Sequence, residues 1–210
     1  LRREKGMIEK NVKTDFSGRV SEPVIDPTAY VHPLAAVIGN VTLGKNVMVS
    51  PCAAVRGDEG QPLYVGDNAN VQDGVVIHAL ETEMNGQPIE KNQVEVDGKR
   101  YAVYIGNRVS LAHQVQIHGP AAVLDDTFVG MKVLVFRAKV GRGCVVEPGA
   151  ILMGVTVADR RIVPVGSVIS SQAQADALPE VTDDYPLKDL NRGVVHVNTA
   201  LAKGYLAAKK

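Results

Sequence analysis

From Ile25 onward an aliphatic residue returns at every sixth position: Ile25, Val31, Val37, Leu43, Val49 and Val55. Four places further on, the same register gives Ala29, Ala35, Val41, Val47 and Ala53, and then breaks at Glu59. Neither an α-helix nor an alternating strand has period six, so the pattern predicts an internal repeat. The period resumes at Val65, Val71 and Ile77, and again from Ile105 through Leu111, Ile117, Val123, Val129 and Val135. After one dropped residue it continues at Val140, Val146 and Leu152. Hexapeptides of this kind predict a parallel β-helix, in which each short strand stacks on the strand one coil earlier.

The same pattern divides the chain. Residues 1–23 are polar, charged and aperiodic, and read as an extended or loosely packed N-terminal arm with no signal-peptide core. Residues 24–170 carry the β-helix, with a short interruption at Glu59-Gly60-Gln61-Pro62 and a loop excursion at about 82–104. Asn85-Gly86 and Asp97-Gly98 within that excursion are hairpin-turn signals. Residues 171–210 change period and form a C-terminal helical segment. A short helix is predicted at 171–178 behind Ser170-Ser171 as cap. Leu190, Val194, Val197, Leu201 and Tyr205 then predict an amphipathic helix over roughly 187–207.

Composition narrows the reading only a little. With 210 residues and 45% hydrophobic content, one continuous core suffices. No stretch approaches the roughly 20 apolar residues that span a bilayer. The 23 basic and 23 acidic residues balance, so no electrostatic pull toward nucleic acid or an anionic membrane is expected. Cys52 and Cys144 stand in no ligand-like spacing and read as small core residues. The sequence starts at Leu1 rather than Met, which leaves open both a cytoplasmic protein and one exported after loss of a leader.

Candidate chemistry appears when the histidines are placed on the coil. If a coil takes three hexapeptides, positions eighteen apart stack about 4.8 Å from one another. His78 follows Ile77 and His118 follows Ile117, each at the start of a third hexapeptide. With the excursion looped out, the two imidazoles lie in one column, and Arg56 after Val55 extends it. Such a pair suits a metal with Zn–N distances of about 2.0–2.1 Å. His113 falls in a second hexapeptide, toward another edge, so a three-histidine site needs His113 from a neighbouring molecule in a closed oligomer. Asp73 lies one coil below His113, beside Gln72. Glu59 and Glu81 share one phase, where the chain leaves the coil on the histidine edge; acid–base work at a metal centre needs carboxylates there. His32 and His196 read as ordinary surface residues.

The runs Arg56-Gly57-Asp58-Glu59, Asn70-Val71-Gln72-Asp73 through His78-Ala79-Leu80-Glu81, and Ser110-Leu111-Ala112-His113 through His118-Gly119-Pro120 resemble the γ-class carbonic anhydrases. The likeness is to the archaeal prototype subclass with an acidic loop, and it extends from about Pro23 to Tyr205. It implies a left-handed parallel β-helix with a C-terminal α-helix, assembled as a homotrimer. One Zn²⁺ per subunit site is implied, held by His78 and His118 of one subunit and His113 of its neighbour; Fe²⁺ or Co²⁺ also suits imidazole ligands. The implied reaction is the reversible hydration of CO₂ to bicarbonate and a proton. By the same resemblance, Glu59 takes part in the proton path and Glu81 passes the proton to buffer. Gln72 hydrogen-bonds at the metal or orients Glu59, and Asn198 helps position bicarbonate. Arg56 and Asp73 pair across the subunit interface, with Asp58 and Asn70 nearby. The loop after Glu81 is one residue shorter than the prototype pattern and carries Glu83 and Met84. Two alternatives share the fold. One is a hexapeptide-repeat acyltransferase, which relies on a single catalytic histidine. The other is a non-catalytic scaffold subunit of the carboxysome type, expected to carry Rubisco-binding modules where this sequence ends at Lys210.

Overall fold

Each hexapeptide turns its aliphatic residue inward, and stacking the coils makes one continuous core. In a computed structural model that describes residues 7–208, Val37, Val55, Ile77, Ile117, Val135 and Leu152 form one fully buried inner column. Each such side chain contributes about 1.5–3 kcal/mol relative to its exposed state. The small fourth-place residues Ala29, Ala35 and Ala53 are buried at the corners, where the chain swings from one face to the next. Asn46, Asn68 and Asp126 take φ of 55°, 58° and 63° in the turns, a conformation that Asn and Asp tolerate better than most residues.

The strands form parallel sheets of eight, seven and seven members, the three faces of a β-solenoid. The first, here the histidine sheet, includes Ala54–Gly57, Val76–His78 and Gln116–His118. A second includes Leu63–Val65, Val103–Ile105 and Ala121–Val123. The third includes Tyr30–Val31, Met48–Val49, Asn70–Val71 and Ser110–Leu111. Ile77 pairs with Ile117 and Val65 with Ile105, so the excursion is looped out and the coil resumes in register, as expected. Val123 pairs with Val140 and Val140 with Val157, so a second residue is dropped before Val157 as well as the one before Val140.

The excursion contains two hairpins, one at each turn signal. Glu83–Met84 pairs with Gln87–Pro88 around Asn85-Gly86, and Val94–Val96 pairs with Lys99–Tyr101 around Asp97-Gly98. All four turn residues have positive φ, the geometry that a tight two-residue turn matches to strand twist. The second hairpin lies on the outer face of the second sheet, where Val96, Ala122 and Leu124 are buried and the partly buried Tyr101 and Tyr104 pack against them.

Both ends are closed. Helix α1 (Gln172–Asp176) starts at Ser171, which forms a capping box with Gln174. Its Ala175, with Leu178 just beyond, joins the main core. The Gln172 amide donates to the Thr156 carbonyl at 2.7 Å and accepts from the Thr156 N–H at 2.9 Å, which pairs the edge of Thr156–Val157, the last strand of the second sheet. At the other end the N-terminal arm is tied down. Met7–Glu9 adds a parallel strand beside Ala36–Ile38, and Asn11 and Ser17 are buried.

Helix α2 (Leu190–Ala208) packs along the third sheet, running against the order of the coils. Leu190 and Val194 meet Phe128 and Val145, whereas Ala202 and Leu206 meet Met48 and Tyr30. Tyr205 stacks on Tyr30 with ring centroids 4.9 Å apart. The expected apolar stripe is only partly used, because Val197 and Leu201 remain 54% and 43% exposed. Asn191 and Asn198 face inward instead; Asn191 donates to the Arg108 carbonyl and Asn198 to the Val194 carbonyl. Among the described residues no helix is long and apolar enough to cross a membrane.

Candidate metal centre

The histidine sheet delivers the predicted column. His78 and His118 are direct register partners, with ring centroids 5.6 Å apart and ring planes at 82°. Below them Arg56 lies in the strand Ala54–Gly57, which pairs with Val76–Ile77, and on the other side His118 pairs with Phe136. Alternation on a strand sends these side chains outward because Ile77 and Ile117 point into the core.

Where the chain leaves the coil after Arg56, two carboxylates come back over this column. Asp58 Oδ1 and Glu59 Oε1 each lie 3.1 Å from His78 Nε2. These two hydrogen bonds, that to Asp58 the stronger, raise the His78 pKa to about 9 against the opposing effect of burial. Burial pushes the Asp58 carboxyl up, but hydrogen bonds from His78 and Arg56 and the guanidinium charge outweigh it and hold the pKa at about 2. Arg56 Nε and Nη2 donate to Asp58 Oδ2 at 3.2 and 2.9 Å. Asp58, Glu59 and His78 are the metal-capable group that converges among the described residues, with donor atoms within 4.8 Å of one another.

The other two histidines are oriented from behind. His118 Nδ1 lies 3.2 Å from the Gly119 carbonyl, and as the donor there it leaves Nε2 with a free lone pair. His113 Nδ1 lies 3.1 Å from Asp73 Oδ2, a carboxylate–histidine pair of the sort that fixes a ligand's tautomer. His113 sits at the corner after Ser110–Leu111 and Asp73 at the corner one coil below, after Asn70–Val71; neither joins the His78 cluster in the same chain. The donor set that converges within the chain, two carboxylates and the His78 imidazole with the His118 ring beside it, fits a borderline cation that takes nitrogen and oxygen ligands.

The remaining predicted residues are distributed around this centre. Gln72 is buried; its Nε2 donates to Asn70 Oδ1 at 2.9 Å, and Asn70 Nδ2 donates to Ser110 Oγ at 2.9 Å. The chain of amides leaves Gln72 Oε1 as an open acceptor. Asn198 is buried between the two anchored ends of α2, with its Nδ2 held by the Val194 carbonyl. Glu81 is half-buried; its carbonyl accepts from Asn92 Nδ2, and its carboxylate contacts no partner among the described residues. Within the chain Arg56 pairs with Asp58, and Asp73 with His113, rather than with each other. Cys52 is exposed in a turn with φ of 60°, contrary to the core placement expected of it, whereas Cys144 is buried. His196 is exposed on α2, as expected. Asp58 was legible only as a neighbour, and the buried pair Ser17 and Glu83 carried no sequence signal, since each is an isolated polar residue in an aperiodic stretch.

A parallel β-solenoid with outward histidines and carboxylates at a coil break defines a hexapeptide-repeat protein with a metal-capable face. No protein-family model matches the chain. A carbonic anhydrase of Methanosarcina thermophila is 62% identical over 199 residues, covering 94% of this chain and 81% of that protein. Gamma carbonic anhydrase 1, mitochondrial, of Arabidopsis thaliana is 29% identical over 77% of this chain and 52% of its own length. The carboxysome assembly protein CcmM of a Nostoc strain is 42% identical over 93% of this chain, which spans 33% of that longer protein. Among solved structures, a hexapeptide transferase family protein from Anaplasma phagocytophilum superposes with a TM-score of 0.65 at 23% identity, covering 88% of this chain and 93% of that one. That last likeness concerns the fold alone. The chain belongs to the γ-class carbonic anhydrases.

Proposed function

We propose that the protein hydrates CO₂ reversibly to bicarbonate and a proton, at metal sites shared between the subunits of a homotrimer. The observation that carries this reading is the in-register His78–His118 pair, with Glu59 Oε1 at 3.1 Å from His78 Nε2. His78 and His118 of one subunit and His113 of the next would hold the ion, Zn²⁺ or alternatively Fe²⁺ or Co²⁺. When bound, such an ion acts as a Lewis acid and brings the pKa of a coordinated water down to about 7. Separation of His113 from the His78 cluster within one chain supports a shared site, and so does the exposed apolar pair Val197 and Leu201 on α2.

The protein's own groups do the rest. Asp73 and the Gly119 carbonyl hold the tautomers of His113 and His118. Gln72 Oε1, aimed by Asn70, accepts a hydrogen bond from the attacking group or orients Glu59. Glu59 Oε1 takes up the proton released in hydration and passes it toward Glu81, which stands at the head of the acidic loop and delivers it to buffer. Asn198 positions bicarbonate. Arg56, Asp58, Asp73 and Asn70 brace the subunit interface.

Metal content measured together with stopped-flow CO₂ hydration, on aerobically and anaerobically purified protein, tests this. About one ion per chain with hydration activity is expected. Metal-free, inactive protein from both preparations would refute it and favour a scaffold role, the second reading, which the similarity to the carboxysome assembly protein supports.

A further inference from the structure

The N-terminal segment does more than lengthen a sheet. Beyond Met7–Glu9 it closes a loop over residues 11–21. The Asn11 N–H donates to the Ser21 carbonyl, the Ser21 N–H donates to Asn11 Oδ1 at 2.6 Å, and Asn11 Nδ2 donates to the Arg19 carbonyl at 3.0 Å. From this loop Ser17 Oγ donates to Glu83 Oε1 at 2.5 Å, and Arg19 Nε stands 3.7 Å from Glu83 Oε2. Ser17 is 1% and Glu83 4% exposed. A carboxylate so deeply buried needs partners, and both of those found come from the N-terminal loop.

Glu83 is the outer member of a layer that reaches the metal centre. Its neighbour Thr82 is fully buried. The Thr82 N–H and hydroxyl both donate to the Glu59 carbonyl, at 2.9 and 2.5 Å, and the hydroxyl accepts from the Gln61 N–H at 2.7 Å. Gly60, with φ of +105°, leaves room for this contact. A Cβ there would lie 2.6 Å from Thr82 Oγ1 and 3.2 Å from Glu83 Cγ. The loop thus presses Glu83 and Thr82 onto the two residues flanking the Glu59 carbonyl, with Glu81 at the other end of the same segment.

We propose that residues 11–21 form a strap that sets the positions of Glu59 and Glu81, with Ser17, Arg19 and Glu83 as positioning residues. The proposal rests on the anhydrase reading and deepens it. None of the three residues is among the proposed metal ligands, so their effect falls on proton delivery rather than on the hydration step.

The test compares Ser17→Ala, Ser17→Thr and Glu83→Gln with the wild type in the full-length, metal-loaded protein. In Ser17→Ala and Glu83→Gln, kcat in dilute buffer is expected to fall about tenfold, since a charge-assisted hydrogen bond is lost. Concentrated buffer restores it, and kcat/KM and metal content stay near wild type. Ser17→Thr keeps the hydroxyl and retains kcat. Hydrogen exchange gives a readout free of catalysis. The Thr82 and Ile89 amides, bonded to the Glu59 and Thr82 carbonyls, should exchange about tenfold faster in Ser17→Ala, while those of Ile77 and Ile117 are unaffected. Unchanged exchange at Thr82 and Ile89 overturns the strap. Faster exchange with an unaltered buffer dependence, or a joint fall of kcat/KM and metal content, overturns its role in proton delivery. A wild type without hydration activity sinks the anhydrase reading instead, and exchange alone then decides whether the strap sets this layer.

Discussion

A metal site split between two subunits can be rebuilt from two defective chains. On the proposed function, His113→Ala removes the neighbour's ligand, and His118→Ala removes one of the pair on the histidine sheet. The collateral damage of the first change is small: the His113 and Asp73 side chains are 56% and 53% exposed, and an exposed ion pair contributes no more than about 1 kcal/mol. Metal-stripped His113→Ala should therefore melt close to the stripped wild type, while its metal content and CO₂ hydration fall nearly to zero. When the two variants are unfolded, mixed in equal amounts and reassembled at random in a cyclic trimer, a site is intact only if the column comes from His113→Ala and the neighbour is His118→Ala. Each condition holds half the time, so about one quarter of the wild-type metal and activity should return. Metal analysis and stopped-flow hydration on the purified trimer fraction measure both. Mixed trimers that stay empty would contradict a shared site, as would His113→Ala alone with a full metal complement.

Other consequences follow from burial and backbone geometry. Burial raises the Cys144 thiol pKa to about 11, so at pH 8 it is on the order of one part in a thousand thiolate, and its reactivity grows only as pH climbs toward that value. Ellman titration of the folded protein at pH 8 should accordingly count one fast thiol, Cys52, with the second appearing on unfolding. Ile117→Ala opens a hole in the fully buried column beneath His118 and should cost about 2–5 kcal/mol in a denaturant titration; a loss below about 1 kcal/mol would contradict the packing. Gly60→Ala brings a Cβ within 2.6 Å of Thr82 Oγ1 at positive φ and should destabilise by about 1–3 kcal/mol by the same measure, whereas Gly86→Ala, with open space around it, should cost less.

The fold was legible because its core obeys one rule. Inward residues at a fixed period leave the chain no other way to bury them, so Ile77 over Ile117 and Val65 over Ile105 could be read across an excursion of unknown shape. The column of His78 and His118 came with that register, as did the position of Asp73 one coil below His113; the hydrogen bond between those two did not, since the resemblance pairs Asp73 with Arg56 across the interface. What periodicity leaves undetermined is the course of a chain outside the coil. Ser17 and Glu83 are 66 positions apart, and nothing in either neighbourhood encodes their contact. Helix α2 shows the same limit from another side: its apolar stripe is real, but the face turned to the sheet includes Asn191 and Asn198, whose amides find backbone carbonyls. A hydrophobic pattern predicts that a helix packs, and only the partner's shape decides its rotation.

An unbroken hexapeptide face has a chemical poverty that explains where the candidate site lies. Outward side chains on such a face stand in parallel columns about 4.8 Å apart, all projecting along the same direction. That suits two imidazoles sharing an ion, but a proton acceptor must approach from the side and must be free to adopt another geometry. The chain supplies this only by leaving the coil. After Gly57 the departure swings Asp58 and Glu59 back onto His78 Nε2, and after Ala79 the chain leaves the coil again through Glu81. Departure has its own cost, because backbone outside the sheet loses its ladder partners. Here those groups are satisfied by Thr82, which bonds the Glu59 carbonyl, and by Asn92, which bonds that of Glu81. The acidic residues and the groups that hold them therefore form one unit, and its rigidity depends on the strap that covers Glu83. A relative with the same solenoid but no coil breaks would keep the histidine column and lack this unit, so it should bind metal without an efficient route for the proton.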